Sequence, residues 1–90
     1  MRRVRFVVTG RVQGVGFRWY VRAEARPLEL VGWVRNRADG AVEGLAEGRD
    51  DAIDALIACL EVGPPSAIVT NVDISEILDQ TEQFKQFDIR

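Results

Sequence analysis

The sequence predicts an α+β fold in which two helices cover one face of a mainly antiparallel sheet, in the order β-α-β-β-α-β plus a short C-terminal strand. Two stretches place apolar residues at helical spacing, and several others alternate apolar and polar residues as strands do. Glycine or proline stands at most of the junctions between them. With 90 residues, we expect one domain, 1–90, built around a single core.

The first strand and the first helix enclose a glycine-rich loop. Alternating residues predict a strand over 3–9, with Val4, Phe6 and Val8 on its buried face. The loop runs from Gly10 to Gly16. A helical pattern begins at Phe17 and must end by Pro27, which cannot continue a helix.

A hairpin forms the middle of the chain. Residues 30–35 and 41–47 are predicted strands, and the segment Asn36–Gly40 connects them through Asp-Gly, which tolerates positive φ. On the second of these strands Glu43 and Glu47 share one face, which we expect to be solvated.

The second helix is predicted from Asp50, its expected N-cap, to Gly63. Its apolar stripe follows the i, i+3, i+4, i+7 spacing. Two further strands complete the arrangement, which is the split βαβ or ferredoxin-like one. The helix stripe comprises Ile53, Leu56, Ile57 and Leu60; Ile68, Val72 and Ile74 indicate the fourth strand, and Phe84, Phe87 and Ile89 the fifth.

Two absences in the composition restrict the chemistry. The chain has no histidine, which removes the usual metal ligand and the usual general base near pH 7. Cys59 is the sole cysteine and lies in the apolar part of the second predicted helix, so we interpret it as a packing residue rather than a nucleophile. We expect neither a metal site nor a cofactor.

Charge is unevenly distributed along the chain. Residues 1–37 carry nine arginines against two glutamates, whereas residues 38–90 carry three basic and twelve acidic side chains. The basic half is compatible with nucleic-acid binding, with a site for a small anion, or with a solvated surface. No apolar run approaches a membrane span and no secretory leader pattern precedes the first strand, so we expect a cytoplasmic protein.

The loop between the first strand and the first helix has the composition of an anion site. Its glycines allow successive backbone amides to point into one concavity, and the helix start adds free N–H groups. Arg18 lies in the first helical turn, where the helix dipole disfavours a cation unless an anion is bound. The loop lacks the Gly-Lys-Ser/Thr of a Walker A motif and the third glycine of a dinucleotide fingerprint. A tight turn with a surface arginine is the alternative.

The stretch Gly10-Arg-Val-Gln-Gly-Val-Gly-Phe-Arg18 resembles the first signature of the acylphosphatase family. A second stretch, Gly32-Trp-Val-Arg-Asn36 followed by Asp39-Gly40, resembles the second signature in residues and spacing. The resemblance implies an enzyme that hydrolyses the carboxyl–phosphate bond of small acyl phosphates to carboxylate and inorganic phosphate. It also implies a catalytic arginine at Arg18 and a catalytic asparagine at Asn36. The phosphate-binding residues it implies are Gln13, Gly14, Val15, Gly16, Phe17 and Arg18.

Two other functions share this fold. A non-catalytic anion- or RNA-binding module would display aromatic residues on the open face of the sheet, whereas the first strand offers Arg3, Arg5 and Val7 there. An acylphosphatase-like domain of a hydrogenase maturation factor would need a much longer chain with zinc-binding cysteines. We therefore expect an acyl phosphate and inorganic phosphate as ligands, no nucleic-acid or membrane partner, and a monomer.

One position departs from the resemblance. Glu29 stands where the acylphosphatase family commonly has glycine after the first helix. If that position requires a positive φ, a residue with a Cβ atom costs about 1 kcal/mol there.

Overall fold

The computed structural model describes residues 1–90 and has seven elements, in the order of the predicted fold class. They are β1 (Arg2–Arg11), α1 (Phe17–Ala25), β2 (Val31–Asn36), β3 (Val42–Gly48), α2 (Asp50–Val62), β4 (Ile68–Glu76) and β5 (Phe87–Ile89). The strands form one sheet in the order β4-β1-β3-β2-β5, and every neighbouring pair is antiparallel except β2 with β5. The predicted split βαβ arrangement is confirmed. Neither helix is long and apolar enough to cross a membrane.

The core lies between the sheet and the two helices. Val4, Phe6 and Val8 are buried on β1, as their alternation predicts. They pack in one apolar cluster with Phe17 and Val21 from α1 and with the buried stripe of α2. Removing these side chains from water is the main stabilising term, at about 25 cal/mol per Å² of apolar surface. From α2 the cluster takes Ala52, Ile53, Leu56 and Leu60.

The opposite face of the sheet carries a buried carboxylate, which corrects the expectation that Glu43 is solvated. Glu43 is only 3% exposed, and its carboxylate pairs with Arg5 from β1 at 2.6 Å and with Arg35 from β2 at 2.5 Å. Arg37 approaches the same carboxylate at 3.7 Å. The two arginines flank Glu43 because β3 lies between β1 and β2 in the sheet, so their side chains cover it. Glu47, four residues further along the same face of β3, is partly buried beside Arg3.

The surroundings of Glu43 keep it ionised. Burial alone would raise the pKa of this carboxyl, but hydrogen bonds from Arg35 and Arg5 outweigh burial and hold the pKa below its ordinary value. A carboxyl with a lowered pKa stabilises the fold above its unfolded pKa, and this contribution is lost as the pH falls through the folded value. The Glu43 cluster therefore ties β1, β2 and β3 together at neutral pH.

The segment between β4 and β5 is held to the sheet by Arg3. This guanidinium is 2% exposed in its side chain, pairs with Glu47 at 3.2 Å and donates to the carbonyl oxygen of Glu82 at 2.6 Å. Phe84 stacks on the same guanidinium, 5.0 Å from it, so it lies in this segment and outside β5, where the sequence had placed it.

The fourth strand begins at Ile68 as predicted, whereas the predicted N-cap of α2 is wrong. Ile68 begins β4 but is 60% exposed, because the register between β1 and β4 shifts at Thr9 and Gly10 and the half-buried residue becomes Val69. Asp50 is the first residue of α2 rather than its cap. Arg49 occupies the cap position with an extended backbone and no side-chain hydrogen bond. Asp50 instead places negative charge in the first turn, where the helix dipole favours it.

The turn after α1 requires a residue with a left-handed backbone conformation, and the sequence places a non-glycine residue, Glu29, at that position. Leu30 N–H donates to the carbonyl oxygen of Ala25 at 3.2 Å, and Glu29 N–H donates to that of Arg26 at 2.9 Å. This pair of bonds is the Schellman motif, which needs positive φ at the residue between the helix and the buried Leu30. Glu29 is that residue, with φ of 60°, and it is the single non-glycine residue with positive φ.

We predict that Glu29→Gly stabilises the protein. Glycine removes the left-handed strain of about 1 kcal/mol, and a gain of roughly 0.5 kcal/mol remains after the greater freedom of glycine in the unfolded chain is subtracted. Urea unfolding at equilibrium measures the change. The matched control is Glu61→Gly, in the last turns of α2, which should lower the free energy of unfolding because glycine is a poor helix former. Loss of stability in Glu29→Gly would contradict the strain.

Candidate active site

The loop between β1 and α1 presents a row of free backbone donors. Gly14 and Gly16 have φ of 73° and 79°, so the chain reverses its local handedness at alternate residues, as an anion nest requires. No amide N–H from Gln13 to Trp19 donates to an acceptor within the protein; the first bond of the helix runs from Tyr20 N–H to the carbonyl oxygen of Gly16, at 3.0 Å. A Cβ added at either glycine would meet nothing within 4 Å, so the concavity is open.

The N-terminus of α1 is the positive end of the helix dipole, and no acidic side chain in its first turn compensates it. Gly16 is the N-cap and offers no side chain, and the first turn contains no acidic residue. Such a helix end attracts anions through its free N–H groups and its dipole. Arg18, a half-buried residue, adds a full positive charge in that same turn, and its guanidinium makes no hydrogen bond or ion pair within the protein. The arrangement is therefore built to bind an anion.

Asn36 lies at the end of β2, on the face of the sheet that the helices cover. Its neighbour two residues back, Val34, is fully buried in the core, and alternate residues of a strand share a face. Asn36 pairs across the sheet with Val42 of β3, and Val42 in turn pairs with Val8 of β1. The oxygen Oδ1 of Asn36 is buried and has no hydrogen-bond partner. It is therefore an acceptor that the protein itself leaves unsatisfied.

The sheet brings the two predicted parts of the site to the same edge. β1 and β2 are both antiparallel to β3, so they run in the same direction and their carboxyl ends meet at one end of the sheet. The loop that follows β1 and Asn36 at the end of β2 are thus neighbours across the first residue of β3. Gln13 links the loop to the hairpin beside Asn36, because its side-chain amide donates to the carbonyl oxygens of Arg37 and Ala41.

The largest groove of the surface is lined by Asn36 but not by the loop. It has a volume of about 750 Å³ and runs over the sheet's other face, lined chiefly by the Glu43 cluster, Trp33 and the hairpin. The glycine loop and Arg18 do not line it. We place the site at the loop because free amides and an unpaired guanidinium are what a phosphoryl group needs, whereas the arginines of the groove already pair with Glu43.

Phe17 and Tyr20 of α1 have packing roles, and so does the thiol of Cys59, as the sequence predicts for Cys59. Phe17 is 2% exposed and belongs to the core. The Tyr20 hydroxyl donates to the carbonyl oxygen of Cys59 at 2.8 Å, which joins α1 to α2. Burial, with the nearby Glu24 carboxylate, raises the pKa of the Cys59 thiol above its ordinary value, so the thiolate that a nucleophile would need is disfavoured.

Comparison with known proteins gives a consistent answer. The family model for Acylphosphatase matches residues 4–89. The chain belongs to the acylphosphatase family. An acylphosphatase of Acaryochloris marina is 48% identical to it over 83 residues, which is 92% of this chain and 87% of that protein.

Solved structures agree with this family assignment. The crystal structure of the acylphosphatase from Bacillus subtilis superposes with a TM-score of 0.95 at 42% identity, covering 100% of this chain and 99% of that one. An acylphosphatase from Coxiella burnetii superposes with a TM-score of 0.92 at 43% identity, over 99% of this chain and 92% of that one. The resemblance predicted from the two signatures is confirmed.

One participant in the site went unnoticed in the sequence. Gln13 is expected there through its backbone amide, but its side chain also bonds the hairpin. A glutamine in a glycine-rich loop carries no signal for this, because the acceptors are main-chain carbonyls more than twenty residues away along the chain. Only the sheet register brings them together.

We predict that inorganic phosphate raises the melting temperature and that Arg18→Gln reduces this effect. A ligand that binds only the folded state stabilises it by about 2.7 kcal/mol at one hundred times its dissociation constant, and the variant loses the bidentate donor. Differential scanning fluorimetry across a phosphate series measures the shift. Arg11→Gln is the matched control, since Arg11 is exposed at the end of β1 and should leave the shift unchanged. Equal shifts in both variants would remove Arg18 from the anion site.

Proposed function

We propose that this acylphosphatase hydrolyses small acyl phosphates by capturing the phosphoryl group in the loop 13–18 and holding a water in line with it through Asn36. The products are a carboxylate and inorganic phosphate. The observation that supports this most directly is the row of free amides from Gln13 to Trp19, next to the unpaired guanidinium of Arg18.

The leaving group explains why so small a site is sufficient. An acyl phosphate releases a carboxylate whose conjugate acid has a pKa of about 4 to 5, so it departs without being protonated. A general acid is not needed, and the chain has no histidine to serve as one. A phosphomonoester would release a far more basic alkoxide, so we expect the same site to be a poor catalyst for monoesters.

Phosphate capture provides most of the stabilisation. Phosphoryl transfer passes through a loose transition state with charge on the three equatorial oxygens, so positioning and electrostatics dominate. The amides of residues 13–18 can donate to these oxygens without reorganising, because the left-handed glycines already turn them into one concavity. Arg18 can add two parallel N–H donors through its planar fork.

Asn36 is proposed to orient the attacking water. A carboxamide has one accepting oxygen and two donating hydrogens, so it can hold a water without acting as a base. The buried Oδ1 of Asn36 has no partner in the protein, so the carboxamide is not committed to an internal hydrogen bond and is free to turn toward that water. Orientation of this kind is enough where the transition state is loose, because bond formation to the nucleophile is weak there.

A nucleic-acid-binding function has less support. The open face of the sheet does carry one aromatic residue, Trp33, but the guanidinium groups of Arg35 and Arg90 lie over its ring at 5.3 and 4.9 Å. A base would have to displace them to stack. Arg5 and Arg35 of that face are in turn paired with Glu43. We therefore propose acyl phosphate and inorganic phosphate as the ligands of a monomeric, single-domain cytoplasmic enzyme without nucleic-acid, membrane or metal partners.

The test is hydrolysis of benzoyl phosphate by the purified protein in the presence of a chelator. We expect turnover above the uncatalysed rate, and we expect Asn36→Ala to reduce kcat by roughly 10²–10³, the usual effect of losing one transition-state partner. The constant for inhibition by inorganic phosphate should stay unchanged in that variant. The matched control is Asn71→Ala, an exposed asparagine on β4, which should retain the wild-type kcat.

Three results would count against the proposal. Absence of turnover by the wild-type protein would remove the enzymatic function and favour a binding module. An unchanged kcat in Asn36→Ala would remove the water-orienting role alone. Turnover of a phosphomonoester at a comparable rate would show that the site also assists the departure of a poor leaving group. Electrostatic stabilisation of the phosphoryl group alone does not explain such assistance.

A further inference from the structure

The side chain of Gln13 connects the glycine loop to the hairpin that carries Asn36. Its Nε2 group donates one hydrogen to the carbonyl oxygen of Arg37 at 2.7 Å and the other to that of Ala41 at 3.0 Å. Because both partners are carbonyl oxygens, only the NH₂ end of the carboxamide fits there, and both of its donors are used. Gln13 is half-buried, so these two hydrogen bonds are partly shielded from water.

The two acceptors define the base of the hairpin. Arg37 N–H donates to the carbonyl oxygen of Ala41 at 2.8 Å, and Gly40 N–H donates to that of Arg37 at 3.2 Å. Each carbonyl therefore already has one partner in the turn and accepts a second from Gln13. Arg37 directly follows Asn36, and Ala41 directly precedes Val42, the residue opposite Asn36 in the ladder. Gln13 therefore bonds the residue that follows Asn36 and the residue that precedes its partner Val42 on the opposite strand.

No other hydrogen bond joins the glycine loop to this hairpin. The amides from Gln13 to Trp19 donate to nothing in the protein, and Arg18 has no partner. The loop is otherwise anchored at its ends, by β1 and α1, and by the apolar contacts of Val12 and Val15 with the core. Apolar contacts resist separation but fix direction weakly, whereas two hydrogen bonds from one rigid carboxamide fix both distance and direction.

We infer that Gln13 is a positioning residue, which sets the placement of Asn36 relative to the phosphate held in the loop. This inference rests on the proposed roles of the loop and of Asn36. The reaction needs a water on Asn36 to lie in line with a phosphoryl group on the loop amides, and a misplacement of 1 Å can reduce the rate about 10²-fold. The Asn36 oxygen has no partner that would hold it, so its position follows that of its backbone, and Gln13 bonds that backbone to the loop.

The decisive variant is Gln13→Met, which keeps the length and approximate volume of the side chain but has no donor. Both hairpin carbonyls retain their turn partners, so no buried acceptor is left without a bond and the fold should persist. With benzoyl phosphate as substrate we expect kcat to fall by roughly 10–100-fold, while the constant for inhibition by inorganic phosphate stays at the wild-type value. A purely structural role would instead lower the melting temperature and leave kcat per folded molecule unchanged.

A double-mutant cycle tests whether the effect passes through Asn36. If Gln13 acts by placing Asn36, then Gln13→Met causes little further loss of kcat in the Asn36→Ala background. If the two losses multiply, Gln13 acts independently and the inference is wrong. Weakened phosphate inhibition in parallel with kcat would also overturn it, because Gln13 would then be part of the phosphate cradle through its side chain.

Two further variants complete the experiment. Gln83→Met is the control, since the Gln83 side chain makes a comparable bond to the carbonyl oxygen of Gln80 at 3.0 Å but lies in the β4–β5 connection; we expect wild-type kcat. Should Gln13→Met fail to fold by circular dichroism, Gln13→Asn takes its place. It keeps both donors on a chain one methylene shorter, which cannot preserve both bonds without shifting the hairpin. We expect reduced kcat in that variant too, and wild-type kcat would overturn the inference.

The same measurements separate this inference from the proposed function. Loss of the proposed function would appear as absent wild-type turnover or as an unchanged kcat in Asn36→Ala. If both of those experiments behave as expected and Gln13→Met retains full kcat, only the positioning role of Gln13 fails.

Discussion

The candidate site depends on a set of backbone N–H groups that have no hydrogen-bond acceptor within the protein. The amides between β1 and the first turn of α1 have no internal acceptor, and neither a side-chain cap nor an acidic residue compensates them. Left-handed glycines at 14 and 16 hold the segment in this shape. Such a segment is stable only with solvent or an anion against it, and Arg18 favours the anion. The proposed phosphate site thus follows from where the chain leaves its backbone N–H groups without an acceptor.

The two faces of the sheet stabilise the strand arrangement in different ways. The covered face buries the apolar residues that fix α1, and with it the loop, against β1. The open face carries Glu43 between arginines of the two neighbouring strands, and the lowered pKa of that carboxyl keeps the cluster charged at neutral pH. Both arrangements hold β1, β3 and β2 in register. That register determines where Asn36 stands relative to the loop.

Much of this could be predicted from the sequence. Alternation in residues 3–9 and helical spacing in residues 53–60 indicated the elements and their buried faces, because burial is a local periodic property. The two signatures indicated the family. The burial of Glu43 could not be predicted, since it depends on Arg5 and Arg35 from different strands. The bulge that exposes Ile68 and the bonds from Gln13 are likewise set by strand register, which no local pattern encodes.

The central claim is that the loop amides, rather than the arginines of the open face, bind the phosphoryl group. Titration of ¹⁵N-labelled protein with inorganic phosphate, followed by amide chemical shifts, tests it directly. The account predicts saturable shifts concentrated at residues 14–18 and small ones at Arg5, Trp33 and Arg35. Shifts concentrated on the strands around Glu43, with the glycine loop unchanged, would contradict it.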